Sequence, residues 1–415
     1  MTNFVQSAFL EYIIPPWHYQ VVITMRIAML LSGGVDSSVA LALARRAGHT
    51  ISAFYLKIWL EDELSYLGSC PWEEDLAYAR AVCEHLSVPL EVVSLQRDYY
   101  ERVVEYALAE LRRGRTPSPD IFCNQRIKFG VFADQIGPEF EKIASGHYAV
   151  IEEREWGYAL RRSPDPVKDQ TYFLSHLSQA QVARALFPIG SMQKAEVRRL
   201  ARELELPTSD RPDSQGICFL GKIRYPDFVR HYLGERSGPI VELESGRMLG
   251  IHHGYWFHTI GQRQGLGLGN GPWYVVRKDI EQNIVYVSHR VRGFERARSE
   301  FAVCEPNWIS GSPFIKRASW NAEGADGGAL RLDIKLRHGP ELHSSTVESL
   351  SGDRLRITMD LPDDGIAPGQ FAVFYRGDVC LGGARIAEDD SRELADHHHT
   401  DRSLRAALDP AAPRL

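Results

Sequence analysis

A chain of 415 residues is long enough for two or three domains. Its 44% apolar and 25% charged residues are ordinary for a soluble globular protein, and no apolar run approaches the ~18 residues of a membrane span, so no membrane partner is expected. A net charge of −6 gives no global attraction to nucleic acid, so any such binding has to rest on local basic patches.

Residues 1–24 mix apolar and aromatic side chains around Pro15 and Pro16, with no basic stretch ahead of an apolar core, so they do not read as a secretory signal. Met25 stands just before the first strand. We expect it to be the native start and 1–24 an upstream extension; N-terminal sequencing that found Met1 or Thr2 would rule this out.

An apolar run over 27–31 enters Ser32-Gly33-Gly34-Val35-Asp36-Ser37-Ser38, and a helical run over 39–47 leaves it and stops at Gly48. The pattern predicts a buried strand, a tight glycine turn and a helix. Two glycines allow positive φ and close approach of a ligand to the backbone. The open amides of the helix start, with the dipole behind them, suit an anion, and Ser37 and Ser38 add hydroxyl donors. Asp36 can cap the helix or hold a magnesium ion against phosphates. The spacing and lysine of the Walker loop are absent; the string resembles the PP-loop of ATP pyrophosphatases, which implies cleavage of ATP to AMP and pyrophosphate.

Strands at 50–58, 89–95 and 140–144 alternate with helices at 72–87, 97–113 and 123–136, which predicts an α/β domain with a parallel sheet covered on both faces. In such a sheet the ligand lies at the carboxyl ends of the strands, so the first glycine loop, Leu56 and Gly146-His147 are expected to face one crevice. A basic helix within 187–206 carries Lys194, Arg198, Arg199 and Arg202; it reads either as a solvated face or as a phosphate-backbone contact. From about 210 glycines become dense. Short β-rich stretches at 273–277, 283–288, 329–337, 354–359 and 371–376 predict a small sandwich or barrel. The boundaries expected are 1–24 extension, 25–209 PP-loop domain, 210–290 central Gly-rich domain, 291–387 C-terminal β-barrel-like domain and 388–415 disordered tail. His397-His398-His399 in that tail reads as solvated rather than as a metal site.

Six cysteines show no C-x-x-C spacing, so no metal site is expected. Cys70, Cys83, Cys304 and Cys380 fit buried small hydrophobes. Cys123 follows Pro117 and Pro119, with Arg126 and Lys128 nearby; a helix beginning at this thiol would lower its pKa. Cys218 lies between Gly216 and Gly221, which reads as an exposed, movable loop.

The ordered set of motifs is specific. It comprises the PP-loop, Cys123-Asn124 with Ile127-Lys128-Phe129-Gly130, and Ser145-Gly146-His147-Tyr148. Lys168-Asp169-Gln170-Thr171, Gly216-Ile217-Cys218-Phe219, Gly261-Gln262-Arg263, Pro368-Gly369-Gln370 and Leu381-Gly382-Gly383 follow. From 27 to 386 the chain resembles the tRNA-specific 2-thiouridylase (MnmA) family. The resemblance implies a cytoplasmic enzyme that uses ATP, with Mg2+, to adenylate the C2 oxygen of the wobble uridine of tRNA. A persulfide from a donor or relay protein then supplies the sulfur. By motif, Cys218 bears the persulfide and Cys123 releases its sulfur, forming a Cys123–Cys218 disulfide; direct attack by the persulfide sulfur remains an alternative order. Asp120 lies beside the target base or caps the helix. ATP is held by Leu30, Leu31, Ser32, Gly33, Gly34, Val35, Asp36, Ser37, Leu56 and Gly146. tRNA is contacted by Ser118, Pro119, Asp120, His147, Lys168, Asp169, Gln170, Arg337, His338 and Gln370, with Arg112, Arg113, Arg115, Arg198, Arg199 and Arg202 as backbone contacts. Ser118, Gln215 and His338 stand where the family usually has Asn, Thr and Tyr, which bears on the uridine contacts. A PP-loop amide or amidine ligase would need no cysteine pair, so full activity of Cys123→Ser would favour it. A sulfur-carrier or RNA-binding module without turnover is the non-enzyme reading, and tRNA-dependent pyrophosphate release would exclude it.

Overall fold

The computed structural model describes residues 24–58, 72–213, 224–289, 298–314, 328–350, 353–363 and 365–388. The expectations for residues 1–23, Cys70, Gln215, Cys218 and the tail with His397 lie outside these residues.

Seven strands occupy the first half: β1 (Arg26–Leu30), β2 (Thr50–Lys57), β3 (Leu90–Ser94), β4 (Lys142–Ala144), β5 (Ala149–Arg154), β6 (Gly157–Arg162) and β7 (Ala185–Leu186). Five of them form a parallel sheet in the order β3-β2-β1-β4-β7. The central strand β1 buries Ile27 and Met29 on one face and Ala28 and Leu30 on the other. That two-sided burial is why it reads as an unbroken apolar run. Helices Val35–Arg46 and Trp72–Leu86 cover one face. Chain order runs β1-β2-β3 to one side and returns to the other side of β1 at β4, so the sheet's switch point lies between β1 and β4.

The central unit, β8 (Gly238–Glu242), β9 (Met248–His252), β10 (Tyr274–Asp279) and β11 (Ile284–Ser288), makes a sheet in the order β10-β11-β8-β9. It docks on the first domain where the Tyr255 hydroxyl donates to the Arg112 carbonyl at 2.6 Å. The last unit is β12 (Arg298–Trp308), β13 (Ala329–Lys335), β14 (His343–Ser349), β15 (Arg354–Asp363), β16 (Phe371–Arg376) and β17 (Val379–Ile386). These run β12-β15-β14-β13-β16-β17, and β12 also pairs with β17, closing a six-stranded barrel. Closure brings backbones so near that a Cβ on Gly382 (φ +142°) would lie 1.9 Å from the Asn307 carbonyl oxygen. The β5–β6 hairpin, carried within the first half of the chain, adds to the barrel: Leu160 pairs with Cys380 and Arg161 with Val379.

One local expectation is corrected. The helix carrying Cys123 starts at Pro119, not at the cysteine, because proline is pre-organised for the first helical position. From Cys123 to Val131 the backbone is π-helical, so the thiol lies a turn inside the helix.

Candidate active site at the PP-loop and the Cys123 helix

Gly34 is the N-cap of helix Val35–Arg46, and no side chain caps it. The Ser37 and Ser38 hydroxyls both donate to the Gly34 carbonyl, at 3.1 and 2.8 Å, while the Ser32 amide donates to Ser37 Oγ at 3.3 Å. The turn is thus tied from within, and its first-turn amides are left for an anion. Gly33 is the one residue of the turn with positive φ (+75°), and a Cβ there would lie 2.2 Å from the Asp75 carbonyl oxygen. Across the switch point, a Cβ on Gly146 would lie 2.6 Å from the Ser37 nitrogen. The loops after β1 and β4 thus pack together at a contact that only glycine permits. Leu56 is the next-to-last residue of the adjoining strand β2.

Asp36 does not cap its helix. Lys194 Nζ donates to both its carboxylate oxygens, at 2.7 and 2.9 Å, and the Tyr148 hydroxyl donates to Oδ1 at 2.8 Å. Burial, reinforced by the Asp36 charge, pushes the Tyr148 phenol well above its ordinary range. Lys194 also pairs with Asp213 at 2.9 Å, Lys168 pairs with Asp213 at 2.7 Å, and Arg198 pairs with it too. Burial favours the neutral Asp213 carboxyl, but the hydrogen bonds of Lys168 and Lys194 outweigh it and hold its pKa well below the carboxylate range. Arg211 donates to the Gly33 carbonyl at 2.6 Å and pairs with Asp75. The basic helix therefore splits: Lys194 and Arg198 turn inward, whereas Arg199 and Arg202 are exposed and Arg199 pairs with Glu203.

The Lys168-Asp169-Gln170 run splits as well. Asp169 is fully buried, bonded by Lys335 at 2.6 Å, Thr171 at 2.8 Å and Arg162 at 3.1 Å. The Gln170 side chain accepts from the Tyr148 amide at 3.0 Å. His147 is 9% exposed, bonded to Ser145 Oγ at 2.8 Å and set among Phe129 and Phe187. Burial, then the nearby Lys128 charge, pushes its pKa well below the ordinary value, so the ring is neutral at pH 7.

Cys123 is 2% exposed in the core shared by the first domain and the barrel, a more enclosed position than its polar, proline-framed sequence implies. Around it the motifs converge. Asn124 donates to the Phe173 carbonyl at 3.2 Å and accepts from Lys128 at 3.0 Å. The Phe173 ring lies 4.8 Å from the exposed His338. The Thr116 amide donates to the Pro368 carbonyl at 3.0 Å, which brings Gln370 of the barrel to the segment leading into Ser118, Pro119 and Asp120. Arg337 forks onto Asp363 at 2.9 and 3.1 Å. Burial pushes Cys83 up to about 11 and Cys380 up to about 12, keeping both protonated.

Lys194, Arg211, Tyr148 and Asp213 are not among the candidates singled out in the sequence for ATP. One signal was present: Lys194 opens its helix, where a cation opposes the dipole. Such a locally unfavourable choice marks a functional position.

A parallel sheet with an uncapped S-G-G-V-D-S turn at its switch point, backed by lysines, defines a PP-loop nucleotide-binding class. The match to known sequences is narrower. Three family models match in order: tRNA methyl transferase HUP domain over 25–222, tRNA methyl transferase PRC-barrel domain over 226–289 and Aminomethyltransferase beta-barrel domain over 298–386. The chain is 45% identical over 367 residues to the tRNA-specific 2-thiouridylase MnmA of Parabacteroides distasonis, covering 88% of this chain and 99% of that one. It is 44% identical over 364 residues to MnmA 1 of Bacteroides thetaiotaomicron, covering 87% and 99%, and 43% identical over 370 residues to MnmA of Porphyromonas gingivalis, covering 88% and 99%. The chain belongs to the tRNA-specific 2-thiouridylase (MnmA) family.

Proposed function

We infer that the protein is an ATP-dependent tRNA uridine 2-sulfurtransferase. The observation that carries this reading is the uncapped start of helix Val35–Arg46 at the switch point between β1 and β4, whose amides are open to phosphate. The uncapped first turn takes the phosphates; Leu56 and Gly146 line the approach for the nucleoside. Magnesium enters with the ATP. Asp36 offers it one carboxylate, which suits an ion that keeps phosphate and water ligands.

The target uridine leaves its stack and reaches the Cys123 helix, with Ser118, Pro119, Asp120 and Gln370 around the base. His338 on Phe173 offers a stacking face and Arg337 a phosphate contact. His147, neutral and enclosed, contacts RNA without neutralising a phosphate, while Lys168 stands on the rim between the two sites; Asp169, fully buried on Lys335, braces that rim from beneath and does not itself reach RNA. Adenylation of the C2 oxygen makes it a leaving group. A persulfide on Cys218, loaded by a donor protein, is then opened by the Cys123 thiolate. The Cys123–Cys218 disulfide forms, hydrosulfide leaves and attacks C2, and AMP departs. We place this activity in the cytoplasm, where tRNA and ATP meet.

A methyl transferase reading, suggested by the names of two of the matching family models, leaves the turn without work, since a sulfonium methyl donor carries no phosphate. The test is product analysis of ATP turnover. Release of AMP and pyrophosphate that depends on tRNA is expected; release of ADP and phosphate, or turnover indifferent to tRNA, contradicts the reading.

A further inference from the structure

We propose that Lys194 is a catalytic residue that binds the β- and γ-phosphates of ATP, and that Asp213 occupies it until they arrive. The inference rests on the ATP-dependent reading above and adds to it the residues that handle the pyrophosphate.

Three cations, Lys168, Lys194 and Arg198, meet two carboxylates, Asp36 and Asp213. The cluster lies beside the open amides of the PP-loop, and with Asp165 its charges balance, so displacing Asp213 frees a positive charge for a phosphate. It is reachable: the Lys194 side chain is 15% exposed, Asp36 31% and Asp213 32%. Contacts of this exposure exchange with a ligand at small cost.

Lys194 is held there by construction. Asp165, nearly buried, accepts from the Lys194 amide at 2.9 Å through one oxygen and from the Val167 and Lys168 amides at 3.1 Å through the other. One carboxylate thus sets the backbone of both lysines. Glu196 accepts from the Gln193 amide at 2.8 Å at the same helix start, so the first turn is tied without any contribution from the Lys194 side chain. Placing a lysine there opposes the dipole, and its ion pairs with Asp36 and Asp213 offset that cost.

The chemistry requires a cation at this place. Uracil O2 bonds to the α-phosphorus, the bridging bond to the β-phosphate breaks, and its electron pair leaves on the pyrophosphate; the N3 proton passes to water. Charge grows on the pyrophosphate as the bond opens, and an ammonium already fixed beside it stabilises that charge more than the bound ATP. Asp213 presents its carboxylate to the same three cations and so stands in for a phosphate oxygen pair. ATP and Asp213 compete for them.

The competition predicts opposite signs for two variants. Titrations of the tRNA-free protein with ATP, pyrophosphate and AMP read it directly. Lys194→Ala should weaken ATP and pyrophosphate about 10- to 100-fold, the range of a charge-assisted hydrogen bond or two, and leave AMP binding as in the wild type. Lys194→Arg should recover part of the loss. Asp213→Asn should tighten ATP and pyrophosphate several-fold and leave AMP unchanged. Retained AMP binding certifies each variant's site as folded. The proposal is overturned if Lys194→Ala binds ATP like the wild type, if it loses AMP in equal measure, or if Asp213→Asn weakens ATP. Failure of the wild type itself to bind ATP overturns the underlying reading instead, and this proposal with it.

Discussion

Two networks of carboxylates and cations meet in the chain at the adjacent residues Lys168 and Asp169 and do opposite work. At the PP-loop, Asp36 and Asp213 meet Lys168, Lys194 and Arg198 with side chains 15–33% exposed. At the domain junction, Asp169 and Lys335 are both 0% exposed, and the Asp169-bonded Thr171 hydroxyl meets the Tyr375 hydroxyl of the barrel at 3.0 Å. The chemistry is the same and access differs. A network open to water can trade its internal partner for a ligand; a closed one fixes the barrel to the ATP-binding domain. Removing one partner of a closed pair leaves an uncompensated buried charge.

Breaking each network separates the two roles. Lys335→Met should destabilise the protein by about 3–5 kcal/mol in urea unfolding, and adding Asp169→Asn should restore part of that. Asp36→Asn should cost about 1 kcal/mol or less while impairing ATP turnover. Equal stability losses would erase the distinction.

Gly33→Ala sharpens the open side. Positive φ and a Cβ pressed onto the Asp75 carbonyl should cost about 1–3 kcal/mol of strain, and ATP affinity should fall with it; isothermal titration beside a thermal melt checks both.

Acid titration tests the closed side. Burial alone would raise the Asp169 carboxyl, but the Lys335, Thr171 and Arg162 hydrogen bonds bring it below the ordinary value. Its contribution is therefore complete above the unfolded carboxylate value of about 4 and is lost as pH falls through the lower folded value. Asp169→Asn should lack that portion of the wild-type acid loss.

The smallest effect belongs to His147. A neutral, enclosed ring displaces no counterions, so His147→Gln should leave the salt slope of tRNA binding unchanged. A slope reduced by about one unit would mean the ring binds phosphate as a cation.

The alternation of strands and helices, and the turn at Ser32–Ser37, were legible because each depends on local pattern. The C-terminal barrel was legible as a class, but the β12–β17 pairing that closes it was not. β17 carries Leu381-Gly382-Gly383, a motif whose glycine at 382 is there because β12 crosses too close for a side chain. Lys168 and Asp169 are neighbours in one polar motif, and nothing local says that one faces the phosphate crevice and the other a sealed junction with Lys335. That assignment depends on a strand more than 160 residues further on. Cys123 is picked out by its surroundings, but its helix begins earlier than the cysteine, because Pro119 takes the first helical position.

The central claim is that ATP held at the PP-loop and the thiol of Cys123 act on one uridine of tRNA. Nucleoside analysis of tRNA incubated with the protein, ATP and a sulfide source tests it most directly, with Cys123→Ser alongside. The account predicts exchange of sulfur for oxygen in uridine that requires ATP and is lost in the variant. A gained methyl group, or sulfur incorporation undiminished without ATP or without the Cys123 thiol, would contradict it.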